Sequence, residues 1–265
     1  MKIIKLNSVT NGLRHQLNIK KSSLSKNNRL LRNTIKGIFY SAGKSSITGH
    51  ITAWHRCSGA KTIFRKICFS NNGYNAIMLT SLYDPSRNSF ISLNFDLERR
   101  FFFRTLLADT LFPGSVISCR LNSEDLKLGY RTQIKKIPTG SIINSLSSNK
   151  NKKSQFIRSA GTFGQIIQTG YLTAKIRLPS NQIIEISTDG FASLGIISNL
   201  KHNSTCLGKA GRNCFLGRRP IVRGIAMNPV DHPHGGRTNG GRPSVTPWGL
   251  PTKANFALKR RKNKK

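Results

Sequence analysis

The stretch MNPVDHPHGG at residues 227–236 combines Asp231, His232 and His234 with two prolines and a pair of glycines. Two imidazoles in a His-x-His spacing, with a carboxylate nearby, are side chains that bind zinc and other transition metals. A hydrolytic metal site also needs a third firm ligand and an acid or base. The nearest other acidic residue in the sequence is Asp189. We therefore expect a stiff recognition loop here, with a metal hydrolase as the alternative.

Other enzyme signatures are missing from the sequence. It contains no G-x-S-x-G serine elbow, and nine acidic residues in 265 leave few carboxylates to orient a histidine. The GKSS at residues 43–46 lacks the first glycine of a phosphate-binding loop. His202, Cys206 and Cys214 match no common zinc spacing. We expect a protein that is not an enzyme, takes no small-molecule substrate and needs no cofactor.

The charge of the chain points to a polyanionic partner. Lys and Arg number 44 against nine Asp and Glu, which gives a formal net charge of +35. Residues 1–83 contain no acid, and residues 191–265 contain Asp231 alone. A compact protein with so much charge of one sign repels itself unless a polyanion neutralises it, so we expect nucleic acid. No apolar run approaches the ~20 residues of a membrane-spanning helix, so we expect no membrane partner.

The C-terminal part has the composition of an RNA-binding extension. GKAGRNCFLGRRPIVRG at residues 208–224 alternates glycine with basic residues. Glycine lets backbone amides approach phosphates, and the arginine fork engages two phosphate oxygens at once. So little apolar surface can be buried here that we expect the segment to need a polyanion to become ordered. Trp248 either stacks on a base or packs in a turn. The predicted RNA contacts of this part are Lys209, Arg212, Arg218, Arg219, Arg223, Arg237, Arg242, Trp248, Lys253, Lys259, Arg260 and Arg261.

Short strands with regular turn signals fill the middle of the chain. In YLTAKIRL at residues 171–178, apolar and polar residues alternate strictly, which places Leu172, Ala174, Ile176 and Leu178 on one face. Strands of this length and spacing predict an all-β protein made of small barrels or sandwiches.

We divide the sequence into four parts. They are a basic N-terminal arm (1–46), a first barrel (47–125), a second barrel (126–200) and a C-terminal extension rich in glycine, proline and arginine (201–265). The acid-free arm has the composition of an organellar presequence, but we expect it to belong to the mature protein. The first barrel mixes basic and aromatic residues as oligonucleotide-binding barrels do, with a solvated strand face as the alternative. The predicted RNA contacts in the barrels are His50, His55, Lys61, Arg65, Lys66, Arg87 and Arg158.

The motif RGIAMNPVDHPHGG, followed by GGRPSVTPWGLPTK, resembles the bacterial and organellar form of the large-ribosomal-subunit protein two family. LGKAG, RSAGTFGQII, YDPSRNSFISL, GHITAWH and TNGLRH extend the resemblance over nearly the whole chain. It implies an oligonucleotide-binding-type barrel followed by an SH3-like barrel, with long basic extensions threaded into large-subunit ribosomal RNA. It also implies a place near the peptidyl transferase centre, where RNA performs the chemistry.

The resemblance assigns further residues and partners. The family loop nearest that centre falls on residues 227–236, which adds Met227, Asn228, Asp231, His232 and His234 to the RNA contacts. The implied partners are large-subunit ribosomal RNA, neighbouring ribosomal proteins and the small subunit at the intersubunit face, with structural magnesium or potassium bridging to the RNA. The implied function is to support RNA assembly, subunit association and translation. A general nucleic-acid chaperone or compaction protein is the alternative.

The chain departs from the family pattern in two places. Relatives commonly carry G-G-G-E-G after the second histidine, whereas here Gly236 leads directly to Arg237, so we expect a tighter loop. Where bacterial relatives have G-G-G-H-K, this chain has CSGAK at residues 57–61. The form of the GGRPSVTPWGLPTK motif and a bias towards Ile, Asn and Lys indicate a mitochondrial ribosome in the matrix, with the bacterial cytoplasm as the alternative.

Overall fold

The computed structural model describes residues 2–25, 35–38, 42–69, 71, 73–119, 126–237 and 243–252. Within these residues the regular structure is almost entirely β-sheet, which confirms the predicted all-β class. The strands are β1 (Ile3–Lys5), β2 (Leu17–Ile19), β3 (Ile35–Ile38), β4 (Thr62–Arg65), β5 (Tyr74–Leu82), β6 (Ile91–Asp96), β7 (Phe102–Leu106), β8 (Val116–Cys119), β9 (Arg131–Gln133), β10 (Ile142–Asn144), β11 (Gly164–Thr169), β12 (Thr173–Arg177), β13 (Ile183–Ser187) and β14 (Phe191–Leu194). The helical elements are α1 (Ala210–Phe215) and 3-10 turns at Ile134–Lys136, Leu200–Ser204 and Gly224–Ala226. None of the helices in the described ranges is long and apolar enough to cross a bilayer.

The oligonucleotide-binding-type barrel comes first and is built on an antiparallel sheet in the order β7, β6, β5, β8. Strand β5 alternates buried with half-buried residues from Tyr74 to Met78, which turns the buried set towards Phe103 of β7. A bulge between Met78 and Thr80 shifts the register against β6. Because the extra residue interrupts the alternation, Leu82 joins a second apolar cluster instead of the first.

The SH3-like barrel follows, with an antiparallel sheet in the order β13, β12, β11, β10, β14, β9. Strand β12 confirms the predicted alternation, since Ala174 and Ile176 are fully buried. The prediction is wrong for Leu172, which is 72% exposed. The amide of Gly170 donates to the carbonyl of Thr173 at 2.8 Å, so Leu172 lies in the tight turn before the strand begins.

The two barrels share a core and a line of hydrogen bonds. Phe191 of β14 is buried in the apolar cluster of the first barrel. Ser198 joins the two units, because its hydroxyl accepts from the amide of Phe90 at 3.2 Å and its amide donates to the carbonyl of Leu107 at 2.9 Å. Each barrel is small for an independent core, and this shared packing supplies burial that neither has alone.

The buried cation Arg131 on β9 lies at the junction, and no acidic side chain of the described residues forms an ion pair with it. Only 4% of this residue is exposed. Its guanidinium donates to Oδ1 of Asn71 at 2.9 and 3.1 Å, to the carbonyl of Ser145 at 2.9 Å and to the hydroxyl of Ser154 at 2.9 Å. It also lies over the ring of Phe191 at 6.0 Å. Burial lowers the pKa of Arg131, because it disfavours the charged form. The charged form is therefore stabilised by the neutral oxygens that accept its hydrogen bonds and by the ring face of Phe191.

Candidate nucleic-acid interface

The C-terminal extension runs back over the N-terminal half of the molecule. Cys206 forms a two-way backbone bridge with Leu17 of β2, with hydrogen bonds of 3.1 and 3.2 Å. After α1, the chain lies antiparallel to residues 55–60. The amide of Cys57 donates to the carbonyl of Gly217 at 3.1 Å, and the amide of Ala60 donates to that of Phe215 at 2.9 Å. The extension is thereby attached to the first barrel through its backbone, which leaves its side chains available.

Most of the basic side chains that the structure describes in the extension are exposed to solvent. All but one of the predicted RNA contacts between residues 209 and 223 are exposed: Lys209, Arg218, Arg219 and Arg223. Arg212 is half-buried and donates to the carbonyl of Leu207 at 2.8 Å. No acidic side chain in the described part of the chain forms an ion pair with any of the five. The surface therefore presents unneutralised cations to a polyanion.

Two of the predicted contacts, Arg65 and Arg87, are already paired inside the first barrel. Arg87 donates from Nε to Oδ2 of the fully buried Asp84 at 2.7 Å, and Nη1 of Arg65 lies 3.7 Å from Oδ1. Arg104 is buried beside them, and its pKa is lowered by burial and by Arg65, with Asp84 opposing the shift. Two guanidinium groups thus pair with one carboxylate, and that of Arg104 lies near enough to feel its charge. Arg65 and Arg87 have a structural role here, and their contact with RNA stays a prediction.

The remaining predicted contacts of the barrels lie on the surface. His50, His55, Lys61 and Lys66 are exposed along the first barrel, in the turns that face the extension and around β4. Arg158 is exposed on the second barrel, and its guanidinium lies 5.9 Å from the ring centre of Phe69 in the first. These positions suit contacts with RNA, which stay predictions.

The loop at residues 227–236 is closed by its own backbone. The amide of Gly236, whose φ is +83°, donates to the carbonyl of Met227 at 3.1 Å. The amides of Asp231 and His232 donate to the carbonyl of Asn228 at 3.0 and 3.2 Å. Asp231 is exposed, whereas only 8% of His232 is exposed. The loop is thus a compact turn that holds His232 inward.

The two histidine rings of this loop are occupied by contacts within the chain. The amide of His234 donates to Nδ1 of His232 at 3.0 Å, and the ring centres lie 4.7 Å apart. Nε2 of His234 lies 2.9 Å from the carbonyl oxygen of Pro243. Among the described residues, no three His, Cys, Asp or Glu side chains are grouped as metal ligands. The geometry favours a recognition loop, because Nδ1 of His232, as an acceptor, has no lone pair left for a metal.

Gly224→Ala is expected to displace the His232 ring, because a Cβ atom at Gly224 would lie 2.6 to 2.7 Å from three of its ring atoms. We expect the bond from the His234 amide to Nδ1 to break, and hydrogen exchange at that amide to accelerate about tenfold. Amide exchange followed by NMR measures the effect. Gly211→Ala in α1 is the matched control, since nothing lies within 4 Å of its Cβ position. Amide exchange in the loop of this variant should match that of the parent. Equal exchange at His234 in both variants would contradict the packing described.

Trp248 packs against a residue that the list of predicted contacts missed. Its ring centre lies 6.2 Å from that of Trp54, with the planes inclined by 56°. Arg56, also missed, forms an antiparallel bridge with Arg218 of the extension. The sequence TAWHR, with an aromatic among basic residues, carried the signal for both. Arg242, Lys253, Lys259, Arg260 and Arg261 lie outside the described residues, and Arg237 is exposed at the end of the loop.

These features define a class of protein. Two small β-barrels with a shared core carry a basic extension, and no acidic side chain pairs with its cations among the residues that the structure describes. His232 and His234 contact each other within a closed loop. That combination is typical of a structural RNA-binding protein. The family models make the class specific: residues 31–119 match the ribosomal protein L2 RNA-binding N-terminal domain, and residues 127–249 match the ribosomal protein L2 C-terminal domain. The chain belongs to the ribosomal protein L2 family. It is a structural large-subunit ribosomal protein that binds ribosomal RNA, and it is not an enzyme.

Individual relatives match over almost the full length of the chain. It is 39% identical to the large ribosomal subunit protein uL2m of Reclinomonas americana, over 98% of this chain and 95% of the relative. It is 41% identical to the uL2 protein of Rickettsia felis, over 100% of this chain and 96% of the relative. The uL2 protein of Orientia tsutsugamushi is 38% identical over 97% and 94%. The family predicted from the motifs is confirmed, and both mitochondrial and bacterial members are among its relatives.

Proposed function

We propose that this protein holds large-subunit RNA in place near the peptidyl transferase centre, with the loop at residues 227–236 as the element closest to that centre. The observation that carries the proposal is the form of the loop, which is closed by its own hydrogen bonds and carried on a basic extension whose single acidic residue is Asp231 of the loop itself. A loop that is rigid before binding loses little entropy on contact with RNA. Neighbouring ribosomal proteins and the small subunit at the intersubunit face are the further partners that we propose.

Each part of the chain has a place in this proposal. The first barrel (47–125) and the second barrel (126–200) form the rigid body, and the arm (1–46) and the extension (201–265) follow the RNA. The extension supplies Lys209, Arg212, Arg218, Arg219 and Arg223 to phosphates, and the loop supplies Met227, Asn228 and His232 to bases or sugars. Since Nδ1 of His232 accepts from the His234 amide, the neutral ring carries its proton on Nε2. In this role His232 donates a hydrogen bond to RNA and transfers no proton.

His232→Ala is expected to leave both barrels folded and to impair assembly or subunit association. The ring packs against Gly224 and His234 of the extension and is not a member of the apolar clusters of the barrels, so we expect its loss to leave the barrel cores intact. Sucrose-gradient profiles of ribosomes from cells that carry the variant should show less joined ribosome and more free subunit. His202→Ala, in the 3-10 turn at the start of the extension, is the control. For His232→Ala, a sucrose-gradient profile and a translation rate equal to those of the parent would contradict the role that we propose for the loop.

The compartment of the protein and the RNA that it binds are tested by purifying the particle that contains it. We propose a mitochondrial ribosome, which the relative from Reclinomonas americana and the Ile, Asn and Lys bias of the sequence support. An affinity-tagged chain should co-sediment with one large-subunit RNA and cross-link to it through the extension. A general nucleic-acid chaperone would instead spread over DNA and mixed RNAs. Recovery of the tagged chain from bacterial-type cytoplasmic ribosomes would overturn the mitochondrial placement while leaving the ribosomal role intact.

A further inference from the structure

A pocket of about 480 Å³ lies where the extension meets the first barrel. One side is formed by residues 52–57 with Gly43, and the other by residues 216–218 of the extension. Its volume falls in the ~300–1,000 Å³ range of pockets that hold small organic groups. Trp54, His55, Arg56 and Arg218 contribute to the lining, which we call the Trp54 pocket, and no acidic residue does.

Two arginines of this pocket lie side by side, and no acidic residue in the described part of the chain pairs with either. Arg56 and Arg218 are directly opposed in an antiparallel bridge, and both are exposed. Side chains at such positions leave the backbone on the same face about 5 Å apart, and like charges there destabilise the pairing. His55, next in the chain, adds no negative charge. An anion between the two guanidinium groups would turn a repulsive pair into a bidentate clamp of the kind that holds phosphate.

An exposed aromatic ring lies beside this clamp. Trp54 is 58% exposed although it has a neighbour, because the tilted contact with Trp248 leaves most of its surface open. Proteins that bind single-stranded nucleic acid stack its bases on exposed aromatic side chains that lie beside cations. Trp54 beside Arg56 and Arg218 has this arrangement. An acidic peptide would satisfy the arginines but would leave the indole face uncovered.

The backbone around the pocket is fixed without a ligand. Gly43 has a φ of +77°, and its carbonyl accepts from the amides of Thr52 and Ala53 at 2.8 and 3.0 Å. His55 adopts a left-handed φ of 58°, which is unusual for a residue with a side chain. The extension holds it there, because the amide of Arg219 donates to its carbonyl at 2.9 Å and its Nδ1 lies 3.1 Å from the carbonyl oxygen of Pro220. Strain held by surrounding contacts is a mark of pre-organised binding sites.

We infer that the Trp54 pocket binds one unstacked nucleotide of single-stranded RNA, with the base stacked on Trp54 and a phosphate held between Arg56 and Arg218. Bases of an A-form duplex are stacked within the helix and not presented to a pocket, so the nucleotide comes from a loop, a bulge or a strand end. The inference rests on the proposed function and deepens it, because it names one place on the protein where RNA is read by stacking.

Tryptophan emission tests the stacking directly, since the chain has two tryptophans in all. The full-length Trp248→Phe variant keeps Trp54 as the sole reporter, and Trp54→Phe keeps Trp248. We expect a single-stranded RNA octamer to quench the emission of Trp54 by half or more. An abasic oligomer of the same length, which keeps the phosphates, should bind with little quenching. Equal quenching by both oligomers, or none by either while binding occurs, would overturn the assignment.

Binding affinity separates this inference from the proposed function. We expect Trp54→Ala to bind the octamer about tenfold more weakly, with most of the loss restored by Trp54→Phe. Arg56→Ala should lower the slope of log affinity against log salt by about one unit. Tyr171→Ala is the matched control, because Tyr171 is 95% exposed on the second barrel, and it should bind as the parent does. If parent and variants bind RNA equally well, the assignment of nucleotide binding to the Trp54 pocket is wrong, and the proposed ribosomal function is unaffected. If the parent itself binds no large-subunit RNA, the proposed function fails.

Discussion

Replacing Arg218, Arg219 and Arg223 together with alanine is expected to weaken binding of large-subunit RNA about hundredfold and to reduce its salt dependence by two to three units of slope. The three side chains are exposed, and the acidic residues that the structure describes leave them unpaired. Each phosphate contact releases condensed counterions, so its loss affects both the affinity and the slope. Filter binding of an RNA fragment at a series of salt concentrations measures both quantities.

The matched control removes the same formal charge elsewhere. Lys135, Lys175 and Arg177 are exposed on the second barrel, and the two lysines pair with Asp189 and Glu185 at 3.4 and 3.9 Å. Their triple alanine variant should change the slope by less than one unit, because two of the charges are already compensated. If both triple variants lose affinity to the same extent, net charge alone controls binding and the extension has no special place in it.

Arg131→Met is expected to lower the free energy of unfolding by about 3 kcal/mol. The methionine fills part of the volume but donates to none of the oxygens that Arg131 serves, so Oδ1 of Asn71 loses both of its donors from the guanidinium. The Ser145 carbonyl keeps one donor, the Ser154 hydroxyl at 2.6 Å, which limits the damage. Urea unfolding followed by circular dichroism measures the change.

Two further variants separate charge from hydrogen bonding at this junction. Arg131→Lys keeps the cation but lacks the planar fork, so we expect it to recover less than half of the loss. Arg177→Met removes an exposed arginine from the same sheet and should change stability by less than about 0.5 kcal/mol. Equal unfolding midpoints for Arg131→Met and Arg177→Met would show that the buried network contributes nothing to stability.

The barrels follow from the sequence where the chain alternates cleanly. Ala174 and Ile176 were predicted to be buried, because a period of two has only one physical interpretation in a strand. Leu172 was assigned wrongly because the same pattern continues through a turn whose start depends on the Gly170 bond. The bulge at Met78 leaves no trace in composition. Arg131 was beyond prediction for another reason: its neutral partners Asn71, Ser145, Ser154 and Ser193 lie 14 to 62 residues away in the sequence.

The sequence predicted that the extension binds a polyanion, but it predicted only some of the contacts that form the nucleic-acid interface. An extension with Asp231 as its one acidic residue and with regularly placed arginines indicates a polyanion from charge alone, and the loop at residues 227–236 stood out by its residue types. The contact of Arg56 with Arg218, and that of Trp54 with Trp248, arise from long-range pairing between the extension and the first barrel. Periodicity is local, so it does not report which distant segments meet.

The backbone pairing of residues 55–60 with residues 215–219 has a consequence for biosynthesis. The ribosome delivers a chain from its N-terminus, so residues 55–60 emerge well before residues 215–219 exist. The surface around Trp54 and Arg56 is completed only after the second barrel has left the exit tunnel. A nascent chain therefore lacks the finished surface, and capture of a transcript at this site is deferred until synthesis is nearly over.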